Sequence, residues 1–308
     1  MMIPDSVFFL QSLPSVANLF NPMEFGGELL AIISAFCWAL GASIYKKGLE
    51  GIDALSGNLM RTGFASAGFL VLMIANGTLM QSLHELTISL LFWLVFSSFI
   101  AFFLGDLLFL IALKRIGVSR TVPISSTYPL FTVMWAFLVY GIQVSIFVVI
   151  GTLFIIVAIK LISEERNDSH TTNFRGMLFA FSAALCWSIS ITVLDHLILY
   201  LPSDAVAGFR LMITFLLISA VGSVRKFTFD RNSLLWIGIG GMIILVFGNY
   251  IFIEAIRIVG SAKVAPISAT YPVISVFLAA LFLKEKVTLK IIGGAFFSFF
   301  GVLLVVLG

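Results

Sequence analysis

Charge is scarce in this 308-residue sequence: Lys and Arg number 18, Asp and Glu 15, and together they make up 11% of a chain that is 60% apolar. Soluble domains carry roughly 25% charged and 45–50% apolar residues, so this chain lacks the polar surface to clothe a water-soluble particle. It has two cysteines, Cys37 and Cys186, both inside apolar runs, which gives no basis for a disulfide framework or a thiolate metal site. The three histidines, His84, His170 and His196, fall in predicted loops, without a His-Glu-x-x-His helix, a nucleophile elbow or an acid pair at metal spacing. Glycine-rich phosphate loops are missing as well, so ATP-driven pumping, enzymatic chemistry and a cofactor are not expected. The net charge of +3 is scattered with no Lys/Arg-rich run, which leaves a nucleic-acid partner without a footprint.

What is present is a series of uncharged runs suited to a bilayer: 29–45, 62–83, 86–105, 176–194, 232–253, 264–283 and 291–308. About 20 helical residues cross a hydrocarbon core. The run 121–159 is too long for one pass and splits at Tyr140-Gly141-Ile142-Gln143, and a further span over 205–224 holds Arg210 near its start. The expectation is an all-α integral membrane protein with ten transmembrane helices. Residues 1–26, with Pro4, Pro14 and Pro22, lack a signal-peptide pattern and read as an interfacial or poorly ordered leader, with Met23 as an alternative start.

The chain repeats itself. At an offset of 149 Gly27, Cys37, Trp38 and Arg61 fall on Gly176, Cys186, Trp187 and Arg210; at 143 Gly105, Phe109 and Gly117 fall on Gly248, Phe252 and Gly260. Gly117 to Pro129 and Gly260 to Pro272 agree at seven of thirteen positions, so the repeat is no accident of composition. The reading is a first repeat over 27–163, a linker over 164–174 and a second repeat over 175–308. Five spans per repeat is an odd number, so the second copy enters the membrane from the opposite side, an inverted repeat with a site near mid-depth. Lys and Arg cluster in loops on one side of this arrangement, with Arg257 and Lys263 opposed, which puts both termini outside by the positive-inside rule.

Polar residues within the runs mark candidate function. Pro123-Ile-Ser-Ser-Thr-Tyr-Pro129 and Pro266-Ile-Ser-Ala-Thr-Tyr-Pro272 break the fourth and ninth spans. Broken helices survive in lipid only against protein or a wet cavity, so Ser125, Ser268, Tyr128 and Tyr271 are expected beside one; kinked helices whose hydroxyls bond their own backbone are the alternative. Asp106 is an ionisable group at depth, with Asn249 as its counterpart, and is the candidate for binding a solute amine or for proton coupling; a place near a helix end, paired with a basic residue there, is the alternative. Trp38 and Trp187 sit in mid-span and serve as stacking platforms or as core. Arg61 and Arg210 read as interfacial anchors or members of ion pairs, and Glu254 with Arg257 as a local pair.

Two five-span repeats, the matched Trp38/Trp187 and Arg61/Arg210, and the paired P-I-S-x-T-Y-P stretches resemble the drug/metabolite transporter superfamily, most closely its EamA-type branch, over residues 27–307. The Leu283-Lys284-Glu285-Lys286 stretch is similar too, although the first half has Ile142 at the matching place. The resemblance implies secondary transport of a small organic solute, an amino acid or similar metabolite, by efflux across the cell membrane through a cavity shared by both halves, with membrane lipid as surroundings and a monomeric or homodimeric state. It also implies cytoplasmic termini, against the charge bias. The alternatives are a sugar-phosphate or nucleotide-sugar exchanger of the same superfamily, and an intramembrane enzyme acting on a lipid-linked substrate.

Overall fold

The computed structural model describes residues 22–165, 173–221, 226–275, 278 and 288–308, all in helices and their connections with no strand among them. The greater part of the expected leader, His170 and Glu285 lie outside the described residues. The helices are α1 (Pro22–Gly48), α2 (Ala54–Ala75), the short α3 (Thr78–Glu85), α4 (Ile88–Ile116), α5 (Val118–Ser125), α6 (Tyr128–Tyr140), α7 (Ile146–Glu165), α8 (Phe174–Leu197), α9 (Ser203–Val221), α10 (Arg231–Val259), α11 (Ser261–Ser268) and α12 (Leu289–Leu307). Residues 271–275 are helical again after α11. Seven of the described helical stretches are long and apolar enough to cross a membrane, and Phe25–Gly41 and Ile146–Leu161 are shorter apolar stretches. This is an all-α membrane protein.

Several helices start or end away from the uncharged runs. Asp53 caps α2, accepting from Leu55 N at 3.0 Å and Ser56 N at 3.2 Å, so the helix begins at Ala54 and carries Arg61 about two turns inside. α4 continues past Gly105 to Ile116, and α10 past Ile253 to Val259. Thr87 caps α4 and Asp230 caps α10, each from a side-chain oxygen. His84 and His196 lie in the last turns of α3 and α8 rather than in loops. α4 ends at Gly117 (φ 73°) and α10 at Gly260 (φ 78°), matched positions in a region of backbone space that side chains disfavour.

Contacts at helix ends fix the direction of each half. The start of α1 packs on the end of α10, where a Cβ on Gly27 would lie 2.9 Å from Ile258 Cβ, and the end of α1 packs on the beginning of α10, Gly48 against Ile237. α2 starts at that second face, where Thr228 N donates to Ser56 Oγ at 3.0 Å, and returns to the first, where Asn76 Nδ2 donates to Asp204 Oδ2 at 3.0 Å. α8 begins at the second face, Gly176 against Ile116 at the end of α4, and leads into α9 at the first. Matching helices α1 and α8 therefore run in opposite directions. The peripheral helices α7 and α12 close on each other backbone to backbone, since a Cβ on Gly151 would lie 2.5 Å from Gly301 O.

Within α4 and α10, Phe99–Gly105 and Gly241–Gly248 are π-helical turns. Such turns weaken the backbone ladder, and in α4 side chains of other helices meet carbonyls in and next to the turn: Asn58 Nδ2 donates to Phe102 O at 2.7 Å and Ser190 Oγ to Ser97 O at 3.0 Å. Asp106 and Asn249 follow these turns directly.

Candidate functional site

A cavity lies between the halves, walled by residues of both. Its walls come in matched pairs. Trp38 packs on Phe252 (ring centroids 4.9 Å) and meets Tyr271 edge-on at 6.3 Å, while Trp187 packs on Phe109 (5.1 Å) and meets Tyr128 edge-on at 6.3 Å. Reciprocal contacts of this kind are what a two-fold relation between the halves produces. Glycine lets the helices come close enough: a Cβ on Gly105 would lie 3.0 Å from Trp187 Cδ1, and one on Gly248 2.9 Å from Trp38 Nε1.

The proline-broken segments face each other beneath the cavity. Pro123 lies inside α5 and Pro129 at the beginning of α6, with a turn at Ser126 and Thr127 between them. Tyr128 OH donates to Ala265 O at 3.2 Å and lies 3.0 Å from Ser268 Oγ in α11; Ser126 Oγ donates to Tyr271 OH at 3.0 Å. The remaining hydroxyls satisfy local carbonyls, with Ser125 bonded to Val122 O, Thr127 to Ile124 O and Thr270 to Ile267 O. Both sequence readings of this motif are thus represented: the tyrosines cross to the other half, and the serines and threonines mostly bond their own turns.

Charge is where the pairs part. Arg61 donates through Nη2 to Asp106 Oδ2 and through Nε to Asn58 Oδ1 at 2.9 Å, and Trp187 Nε1 donates to Asp106 Oδ1 at 2.8 Å. Both carboxylate oxygens of Asp106 are therefore engaged. Arg210 donates through Nη2 to Ser190 Oγ at 2.6 Å and lies over the Phe102 ring at 4.8 Å, with no carboxylate bound to it among the described residues. Arg210 Nε and Asn249 Nδ2 are buried with no hydrogen-bond partner.

A model of the EamA-like transporter family matches residues 25–164 and again residues 174–307. The chain belongs to the EamA-like transporter family. It is similar, at 32% identity over 91% of its length and 97% of the relative's, to a protein of Archaeoglobus fulgidus named an uncharacterized transporter. It is 25% identical to Protein LicB of Haemophilus influenzae over 85% of this chain and 90% of that one. A crystal structure with 17% identity superposes with a TM-score of 0.71, covering 90% of this chain and 95% of its own, and shares the fold. These likenesses point to a membrane transporter of the drug/metabolite type rather than an enzyme.

Of the eight residues singled out in this EamA-like sequence, Trp38, Trp187, Asp106, Asn249, Tyr128 and Tyr271 line the cavity. Ser125 and Ser268 do not; they stand behind its wall, Ser268 in contact with Tyr128. Arg61 and Arg210 are 3% and 2% exposed and line the cavity instead of anchoring at a surface; Arg61 takes the ion-pair reading, with Asp106, and sits inside α2 because that helix begins eight residues before the uncharged run. The signal for Arg61 was the capping pattern Asp53-Ala-Leu-Ser56, which starts a helix ahead of the apolar stretch. Tyr45 and Ser190 also line the cavity, and nothing in their sequence context distinguishes them from packing residues.

Proposed function

We propose that this EamA-like protein is a secondary transporter that exports a small organic metabolite, an amino acid or similar solute, across the cell membrane by alternating access. The observation that carries the reading is the aromatic cavity walled by matched residues of two oppositely directed halves. Such a site changes its exposed side when one half rocks against the other. The tyrosine contacts between α6 and α11, and between residue 271 and the turn after α5, form the seam about which the halves move. Trp38 and Trp187 pack against the solute body, with Tyr128 and Tyr271 at their edges. Asp106 acts first as counter-ion to Arg61. Any proton coupling through Asp106 requires that pair to open during the cycle.

The test is solute flux in proteoliposomes holding the purified full chain, against empty liposomes, with a panel of amino acids and related metabolites. Accumulation or release above the empty control supports transport. Absence of flux for every solute, in protein that is folded and monodisperse, sinks it.

A further inference from the structure

The halves agree at Trp38/Trp187, Tyr128/Tyr271, Phe109/Phe252, Arg61/Arg210 and the helix breaks, differ in side-chain bulk at Tyr45/Leu194 and Phe102/Leu245, and disagree at one charge. Asp106, beside Arg61, is matched by Asn249, and Arg210 has no carboxylate partner among the described residues. Of the charged side chains on the wall, Arg61 and Asp106 cancel and Arg210 remains, so the described residues give the cavity one net positive charge. A buried cation without an anion is costly to hold, and a buried donor without an acceptor likewise. Here Arg210 Nε and Asn249 Nδ2 are both such donors, and both residues face the same cavity.

We propose that Arg210 and Asn249 form a subsite for a single carboxylate group of the solute, a reading that rests on the cavity being a transport site. The guanidinium offers a planar fork that matches two carboxylate oxygens, and the amide adds a third N–H. Ser190 holds the fork in place: its Oγ accepts from Arg210 Nη2 at 2.6 Å and donates to Ser97 O at 3.0 Å. A monoanion balances the single surplus charge. A phosphate dianion would leave a net negative charge within apolar walls, which disfavours it. The Trp38–Phe252 and Trp187–Phe109 pairs then take the apolar body of the same molecule.

The experiment measures binding to the purified full chain in detergent by tryptophan fluorescence and thermal shift. The probes share a body and differ in charge: 4-methylpentanoate, 4-methylpentanamide and 4-methylpentylamine, with phenylacetate, phenylacetamide and phenethylamine as an aromatic set. The expected result is that at least one acid binds roughly tenfold or more tightly than its amide and amine. Asn249→Asp supplies an internal carboxylate opposite Arg210, as Asp106 does for Arg61, and is expected to remove that preference while the protein melts no lower than wild type. The wild-type comparison decides the matter even if the variant fails to fold. Amides or amines that bind as well as their acids in both sets overturn the proposal, as does failure of every acid to bind at about 10 mM. An acid preference unaltered in folded Asn249→Asp overturns it too. Acid binding with no flux in proteoliposomes would leave the carboxylate subsite standing and remove the transport reading; flux of uncharged solutes with no acid binding would do the reverse.

Discussion

The pocket around Arg61 and the pocket around Arg210 occupy matched places on matched helices, yet one contains a carboxylate and the other an amide. Much that sets shape is shared: the tryptophan against a glycine-backed helix, the tyrosine crossing from the broken span, the π turn just upstream. The difference teaches that packing ties the two copies together, because Trp38 touches Phe252 and Tyr271 of the other copy as Trp187 touches Phe109 and Tyr128. Charge is freer to diverge, because one substitution changes it without moving a helix.

The comparison breaks most visibly if the carboxylate is removed. Asp106→Asn leaves Arg61 buried without its counter-ion, and a loss of about 3–5 kcal/mol in unfolding free energy is expected, measured by denaturant or thermal unfolding in detergent. Asn249→Leu, at the matched place, removes an amide whose Nδ2 has no partner and is expected to cost less than about 1.5 kcal/mol. Equal losses from the two variants would show that the pockets do not differ as described.

A second contrast sets the cavity against the periphery. Gly151→Ala drives a methyl group toward Gly301 O, and Gly301→Ala drives one toward Gly151 O at 2.8 Å. Each is expected to destabilise by about 1–3 kcal/mol without altering solute binding, since none of the described residues on the cavity wall belongs to α7 or α12. A shift in probe affinity from either variant would tie that peripheral pair to the site.

Smaller effects sharpen the symmetry. Tyr128→Phe and Tyr271→Phe each delete contacts between the halves and are expected to cost about 0.5–1.5 kcal/mol, similar to one another, in the same unfolding assay. A clear inequality would mark one seam as the stronger. The smallest effect concerns the caps of α4 and α10. The Ser233 backbone N–H, 2.9 Å from Asp230 Oδ2, holds that carboxyl below the usual carboxylate range. Its contribution is therefore full above the ordinary carboxylate pKa and fades as pH falls through the lowered one. Thr87, capping α4, does not titrate, so Asp230→Ala should lower the melting temperature less in acid than at neutral pH while Thr87→Ala is indifferent to pH.

Much of this was legible in the residues. Low charge and long apolar runs announced a membrane protein, and the matched Trp38/Trp187 and P-I-S-x-T-Y-P stretches announced two copies of one unit. Six wall residues were found because polar or aromatic side chains at matched depth stand out against an apolar background. Arg61 lies deeper than the uncharged run implies, because α2 starts where Asp53 satisfies its first N–H groups, and of its two readings the ion pair holds, with Asp106. The engagement of Asp106 by Trp187 was hidden for a different reason: it joins positions 81 residues apart, and no local pattern encodes such a contact.

The π turns of α4 and α10 bear on how each copy presents one position to the cavity. They occupy equivalent stretches of the two copies, Phe99–Gly105 and Gly241–Gly248, and each ends one residue before the polar group that separates the two pockets. The same irregularity in each copy places one position on the cavity wall whether it carries an acid or an amide, so the chemistry of that position is set by the side chain alone and the backbone serves either.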